Sequence, residues 1–213
     1  MQTVARLFSA ATGPGAALLS EELPPLWLPT GRLVACDPAA HAQPRPLEPA
    51  VPPGAYPVFV HRSPDYTDAL AYAELRVRPM PVVRWELALA AGQDAATLSP
   101  GEVFGYSVDT GLGCFLDAQT LALLPAHEAN LRTRLGPRYA NYYDNFLAPA
   151  LYRAQPPRQA ATLPLHAGQP HNLIVFESGD GDGYYATYVG FGADGQVGRF
   201  VTEFLDVDSL WEE

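Results

Sequence analysis

The chain has 213 residues, enough for one domain with a full hydrophobic core, and we expect a single domain over residues 1–213. Its formal net charge is −10, because it has 23 acidic residues but only 13 arginines and no lysine. A field of this sign repels nucleic acid and anionic membranes, so the sequence predicts neither as a partner and favours a basic protein or a divalent cation. Without a signal-peptide core or an apolar run of about 20 residues, the chain is expected to be cytoplasmic.

The first third of the chain predicts short elements separated by proline-rich turns. Apolar residues at helical spacing predict a short helix over residues 3–11, inside an N-terminal extension of residues 1–30. The run GRLVAC predicts a strand over residues 31–36. Residues 37–57 hold many of the 22 prolines, which lack the N–H donor, so we expect an ordered surface loop there. A strand follows and ends near residue 62.

The middle of the chain predicts strands and then helices. Residues 69–77 and 82–90 alternate well enough to form a pair of strands joined by a short turn. Residues 117–135 show a helical pattern that Pro125 should divide into two pieces, because proline removes a backbone hydrogen bond. Residues 139–152 predict a second helical stretch, which is rich in aromatic side chains.

The C-terminal region is strongly β-like. Residues 171–205 contain the runs NLIVFESG, YYATYVGFG and VGRFVTEFL, and glycine and aspartate fill the connections between them. Because these residues accept the backbone angles of tight hairpins, we expect a three-stranded meander. The whole pattern predicts an α+β fold: a largely antiparallel twisted sheet, or two packed sheets, with the helices of about residues 117–152 covering one side.

Two glycine-rich turns carry the candidate site. They lie in the runs FGYSVDTGLGCFLD, from residue 104, and SGDGDGYY, from residue 178. Calcium and magnesium prefer oxygen ligands, and the candidate ligands are Asp109, Asp117, Asp180 and Asp182. They could share one ion only if the fold brings the two turns together. Otherwise the glycines supply left-handed backbone angles and the aspartates hydrogen-bond within their own turns.

Two functions fit these features. The first is a non-catalytic protein-interaction module that binds a basic partner through acidic loops and exposed aromatic rings. Its candidate contact residues are Asp109, Asp117, Tyr106 and Tyr184. The alternative is a divalent-metal-dependent hydrolase, in which the four aspartates hold the metal and Glu86 acts as a general base.

The two cysteines, Cys36 and Cys114, give no sign of a zinc site. Each stands alone in its stretch of sequence, and neither has the spacing of a zinc half-site. A small thiol surrounded by apolar residues usually fills space in the core. The sequence therefore predicts two buried, reduced thiols.

Several short motifs follow one another in a distinctive order. They are GRLVACDP, VPPGAYPV, AYAEL, WE, GYSVDTGLGCFLD and NLIVFESGDGDGYYATYVGF. Over about residues 31–204 this order resembles a bacterial family known only as a domain of unknown function, with the patterns GYxVDxGxGxFxD and SGxGDGxY. The positions that match these patterns include Asp109, Gly111, Gly113, Asp117, Gly179, Asp182 and Gly183. The resemblance implies no particular reaction. The C-terminal hairpin is also similar to bacterial immunity proteins, which bind toxins through an acidic face.

Overall fold

Two antiparallel sheets packed face to face form the frame of the protein. The computed structural model describes residues 1–14, 17–40, 44–64, 69–166 and 170–207. In chain order the elements are α1 (Gln2–Phe8), β1 (Leu19–Leu28), β2 (Leu33–Cys36), β3 (Leu47–Glu48), β4 (Gly54–Arg62), β5 (Leu70–Arg76), β6 (Arg84–Leu87), β7 (Leu89–Ala90), a three-ten turn (Ala95–Thr97), β8 (Tyr106–Val108), β9 (Leu112–Asp117), α2 (Ala118–Leu135), a second three-ten turn (Gly136–Arg138), a π-helical turn (Tyr143–Leu147), α3 (Ala148–Tyr152), β10 (Ala160–Pro164), β11 (Asn172–Glu177), β12 (Gly183–Tyr185), β13 (Thr187–Phe191) and β14 (Val197–Glu203).

The larger sheet has six strands in the order β1-β4-β5-β14-β13-β6, and the smaller has four in the order β10-β11-β9-β2. Two short ribbons, β12-β8 and β3-β7, lie beside them. Alternation along β11 shows how the sheets pack: Ile174 and Phe176 join the core between the sheets, whereas Leu173 and Val175 join the core under the helices. The predicted α+β fold is therefore confirmed, with two packed sheets.

Helices α2 and α3 cover the outer face of the four-stranded sheet. Leu124 and Leu131 of α2 and Leu151 of α3 are buried against that sheet. The predicted break at Pro125 is wrong, because α2 runs unbroken from Ala118 to Leu135. Proline removes one hydrogen bond, and burial of one face of the helix outweighs that loss.

Residues 1–14 and 17–30 are part of the fold and do not form the predicted N-terminal extension. Strand β1 forms one edge of the six-stranded sheet and pairs with β4. Helix α1 buries Val4, Leu7 and Phe8 against the outer face of that sheet, where Tyr72 and Val201 lie. The protein thus has four layers: α1, the six-stranded sheet, the four-stranded sheet, and α2 with α3.

Three further expectations differ from the structure. Two concern which strands pair with each other, and one concerns a predicted loop. Residues 69–77 and 82–90 do not pair, because β5 lies between β4 and β14 while β6 pairs with β13. The C-terminal meander is also absent: β11 belongs to the four-stranded sheet, β12 pairs with β8, and only β13 and β14 form the expected hairpin. The loop predicted over residues 37–57 contains β3 and the start of β4. Alternation shows which residues share a face, but it does not specify the neighbouring strand.

A buried ionic cluster lies on the outer face of the six-stranded sheet. Glu74, His61 and Arg199 have side chains with no solvent exposure. The Glu74 carboxylate accepts hydrogen bonds from Arg76 Nε and Nη2, both at 2.9 Å, and lies 3.1 Å from Arg199 Nη1. His61 Nε2 lies 3.1 Å from the same carboxylate, and His61 Nδ1 lies 2.8 Å from Ser20 Oγ. The cluster therefore connects four adjacent strands, β1, β4, β5 and β14.

Burial sets the charges in this ionic cluster. Loss of solvent lowers the pKa of His61 despite the neighbouring Glu74, so the imidazole is neutral and its Nε2–H donates to the carboxylate. Burial acts to raise the pKa of Glu74, but the hydrogen bonds from His61 and Arg76 and the charge of Arg199 outweigh it and lower that pKa to about 2. Arg199 also donates to the backbone carbonyls of Ala10, Ala11 and Met80, which ties the chain after α1 to the sheet.

Candidate binding site

The two glycine-rich turns meet in space. Strand β8 leads into the first, the Asp109 turn (residues 109–111), and β12 follows the second, the Asp182 turn (residues 178–183). These strands pair, with Gly183 opposite Val108. The Gly111 N–H donates to Asp182 Oδ1 at 3.0 Å, and the Ser178 N–H donates to the Gly111 carbonyl at 3.0 Å. The side chain of one turn therefore stabilises the backbone of the other.

The side chain of Asp37 supports the Asp109 turn through hydrogen bonds. Its Oδ2 accepts hydrogen bonds from the N–H groups of Asp109 and Thr110, each at 3.0 Å, and from Thr110 Oγ1 at 2.8 Å. Its Oδ1 accepts from the N–H groups of Ala39 and Ala40. With five donors and 3% exposure, this carboxylate has a structural role. Asp37 is not among the predicted site residues, although an aspartate directly after a buried strand is a signal for such a role.

A cavity of about 240 Å³ lies beside the Asp109 turn. Three of the predicted contact residues, Tyr106, Asp109 and Tyr184, line it. Its wall also contains Cys36 at the end of β2 and the exposed Arg45, whose Nη1 donates to the Ala91 carbonyl at 2.8 Å. The structure thus brings together an acidic turn, two aromatic rings and a concave surface.

The two tyrosines of the cavity are held differently. Tyr184 is 52% exposed, and its hydroxyl accepts a hydrogen bond from the Gly105 N–H at 2.9 Å, which fixes the position of the ring. The Tyr106 hydroxyl is buried near Gly113 of β9, where a side chain larger than glycine would collide with it. Burial raises the pKa of Tyr106, and nearby Cys114 acts in the same direction. Tyr106 can therefore contact a ligand only through its ring, because its hydroxyl is buried. Tyr184 presents a ring that is largely open to solvent.

Asp109, Asp180 and Asp182 are exposed on the joined turns, but Asp117 lies elsewhere. Strand β9 separates Asp117 from the Asp109 turn by six residues, or roughly 20 Å of extended chain. Asp117 caps α2 by accepting from the Gln119 N–H at 2.7 Å, and its other oxygen accepts from Thr30 N and Oγ1. Its carboxylate is fully buried and structural, so the structure does not bring it together with the other three aspartates.

The geometry gives the hydrolase alternative no support. Within the described part of the chain, no group of three or more histidine, cysteine, aspartate or glutamate side chains is placed to hold a metal ion. Glu86 is exposed on β6 and forms an ion pair with Arg84. It lines a separate groove with Trp85 and Leu87, while Asp109 lines the cavity described above.

These observations define a four-layer α+β protein with a cavity beside acidic and aromatic turns. The chain belongs to the family described as Protein of unknown function (DUF4241), whose model matches residues 26–202. The resemblance to a family known only as a domain of unknown function is thereby confirmed. No curated protein and no solved structure matches the chain. None of the helices in the described ranges is both long and apolar enough to cross a membrane.

Proposed function

We propose that this protein is a non-catalytic interaction module that binds a basic segment of a partner protein. An arginine or lysine side chain of the partner enters the cavity, with its charge close to Asp109 and its stem against Tyr184. The exposed Asp180 and Asp182 face the flanking residues of the same segment. A basic toxin held by an immunity protein is one partner class with this chemistry.

The joined turns are the observation that carries the proposal. The hydrogen bond from the Gly111 N–H to Asp182 Oδ1 keeps two acidic turns side by side, next to a concave surface. The buried Asp37 carboxylate already accepts hydrogen bonds from the backbone of the Asp109 turn, so it supports this surface without being part of it. A partner therefore meets a preformed acidic surface, which lowers the entropy cost of binding.

The exposed Tyr184 ring adds a specific contact for a cation. A guanidinium over a tyrosine ring contributes about 0.5–2 kcal/mol, more when water is excluded. Because the Tyr184 hydroxyl is already bonded to the Gly105 N–H, the ring loses little freedom when a ligand arrives. The net charge of −10 also speeds the approach of a basic partner at low salt.

Fluorescence anisotropy with a labelled, arginine-rich peptide tests this function. The reference is a peptide of equal length with citrulline in place of arginine, which keeps the shape and removes the charge. We expect saturable binding of the arginine peptide that weakens as salt is added. Asp109→Asn or Tyr184→Leu should each weaken it by roughly 3–30-fold, corresponding to about 0.7–2 kcal/mol.

Glu22→Gln is the matched control, because Glu22 is an exposed carboxylate on the edge strand β1. It removes the same net charge from a different surface, so its effect on affinity should be small. Equal binding of the citrulline peptide, or an equal loss of affinity in Glu22→Gln and Asp109→Asn, would show that only nonspecific attraction is at work.

A further inference from the structure

The two cysteines of the chain are neighbours in the fold. Cys36 and Cys114 are 78 residues apart in sequence, yet they lie directly opposite each other in the β2–β9 pair. Their sulfur atoms are 3.6 Å apart, and both thiols are free. The expectation of two buried thiols holds, but their contact could not be anticipated from sequence.

The backbone geometry of this pair suits a disulfide. Directly opposed residues in an antiparallel pair have Cα atoms about 4.5–5.5 Å apart, within the range of about 4.4–6.8 Å that disulfides span. Bringing the sulfurs from 3.6 Å to bonding distance therefore needs side-chain rotation and little movement of the strands. Both thiols are buried, but Cys36 lines the cavity and is 4% exposed, whereas Cys114 does not line it and has no exposure.

We propose that Cys36 and Cys114 form a reversible redox pair, in which a peroxide that enters through the cavity oxidises Cys36 and Cys114 then closes the disulfide. This inference goes beyond the interaction function and does not depend on it.

The reaction has two steps. The Cys36 thiolate attacks one oxygen of hydrogen peroxide, the O–O bond breaks, and the products are a Cys36 sulfenic acid and hydroxide, which takes up the thiol proton as water. The Cys114 sulfur then attacks the Cys36 sulfur, the S–O bond breaks, and the departing hydroxyl leaves as water with the Cys114 proton. The two cysteines lose two electrons, and the peroxide gains them.

The order of the steps follows from burial. Loss of solvent raises the pKa of the Cys114 thiol, and its contact with Cys36 acts in the same direction. Cys114 is therefore neither in contact with the oxidant nor readily ionised. It reacts after a sulfenic acid has formed on the adjacent Cys36. The disulfide would fix the end of β2 immediately before Asp37, the residue that supports the Asp109 turn.

Thiol alkylation and intact mass spectrometry after treatment of the folded protein with hydrogen peroxide test the pair. We expect a monomer lighter by two hydrogen atoms, with no alkylatable thiol and a Cys36–Cys114 crosslinked peptide. A reducing agent should restore both thiols. If both thiols stay alkylatable under conditions that fully oxidise free cysteine, or if only disulfides between chains form, the proposal is overturned.

Two variants test the order of events. In Cys114→Ser the reaction should stop at the first step, so that dimedone labels the Cys36 sulfenic acid. In Cys36→Ser the remaining Cys114 should stay unlabelled, because the cavity does not reach it. Labelling of Cys114 at the same rate as Cys36 would refute entry through the cavity. Circular dichroism confirms beforehand that each variant is folded, and the wild-type result stands without them.

Discussion

Replacing Glu74 by glutamine should be among the most destabilising conservative changes in this protein. Glutamine has nearly the same shape, so it creates no cavity. It does remove the single negative charge between two guanidinium groups, Arg199 with no exposure and Arg76 with 16%. Among the described residues, Arg199 would then be a buried cation that faces neutral groups and the charge of Arg76. Leaving one member of a buried ion pair uncompensated typically costs about 3–5 kcal/mol.

The lowered pKa of Glu74 gives a second measure of how much its negative charge stabilises the folded protein. Its ordinary value is 4.5, and in the folded protein it is about 2. This difference corresponds to about 3 kcal/mol of preference for the charged form in the native state. Because the pKa is lowered by folding, the stabilisation is fully present above pH 4.5 and is lost as the pH falls toward about 2.

Urea unfolding followed by tryptophan fluorescence, at several pH values, measures both effects. We expect Glu74→Gln to lower the free energy of unfolding by about 3–5 kcal/mol near neutral pH. The difference between wild type and variant should shrink steadily below pH 4.5, where the wild-type carboxylate begins to take up a proton. Asp194→Asn is the control, because its ion pair with Arg78 is exposed and should matter far less.

Two outcomes would refute this reasoning. A loss below about 1 kcal/mol in Glu74→Gln would mean that the cluster behaves like a surface ion pair. A difference from wild type that does not change with pH would mean that the Glu74 charge is not its source. Either result would show that packing, and not the ion pairs, holds β4, β5 and β14 together at this point.

Two further predictions concern stability at the turns and the helix cap. Asp117→Ala should lower the free energy of unfolding by about 2–3 kcal/mol, because it removes the cap of α2 and the bonds from Thr30, while Asp117→Asn, which keeps one acceptor oxygen, should cost less. Gly179→Ala should cost more than about 2 kcal/mol, since its Cβ would lie 2.2 Å from the Leu70 carbonyl, whereas Gly181→Ala should cost about 1–2 kcal/mol because only its positive φ is strained. Urea unfolding of all four variants checks both, and equal losses in the two glycine variants would contradict the steric argument.

Much of the local structure could be predicted from the sequence. Periodic apolar residues predicted α1 and α2, and alternating residues predicted most of the strands, because both patterns reflect which side of an element is buried. The glycine-aspartate turns also follow from short runs of residues. These features depend on neighbours within a few positions, so the sequence alone determines them.

The partners of the strands and the composition of the site depend on the tertiary structure. Asp37 bonds to a turn 72 residues further along the chain, and Cys36 meets Cys114 at a separation of 78. Asp109 and Asp117 carry the same charge eight residues apart, yet one is exposed beside a cavity and the other is a buried helix cap. Periodicity assigns a residue to a face, but the neighbour across that face is chosen by the packing free energy of the whole chain, which no local pattern contains.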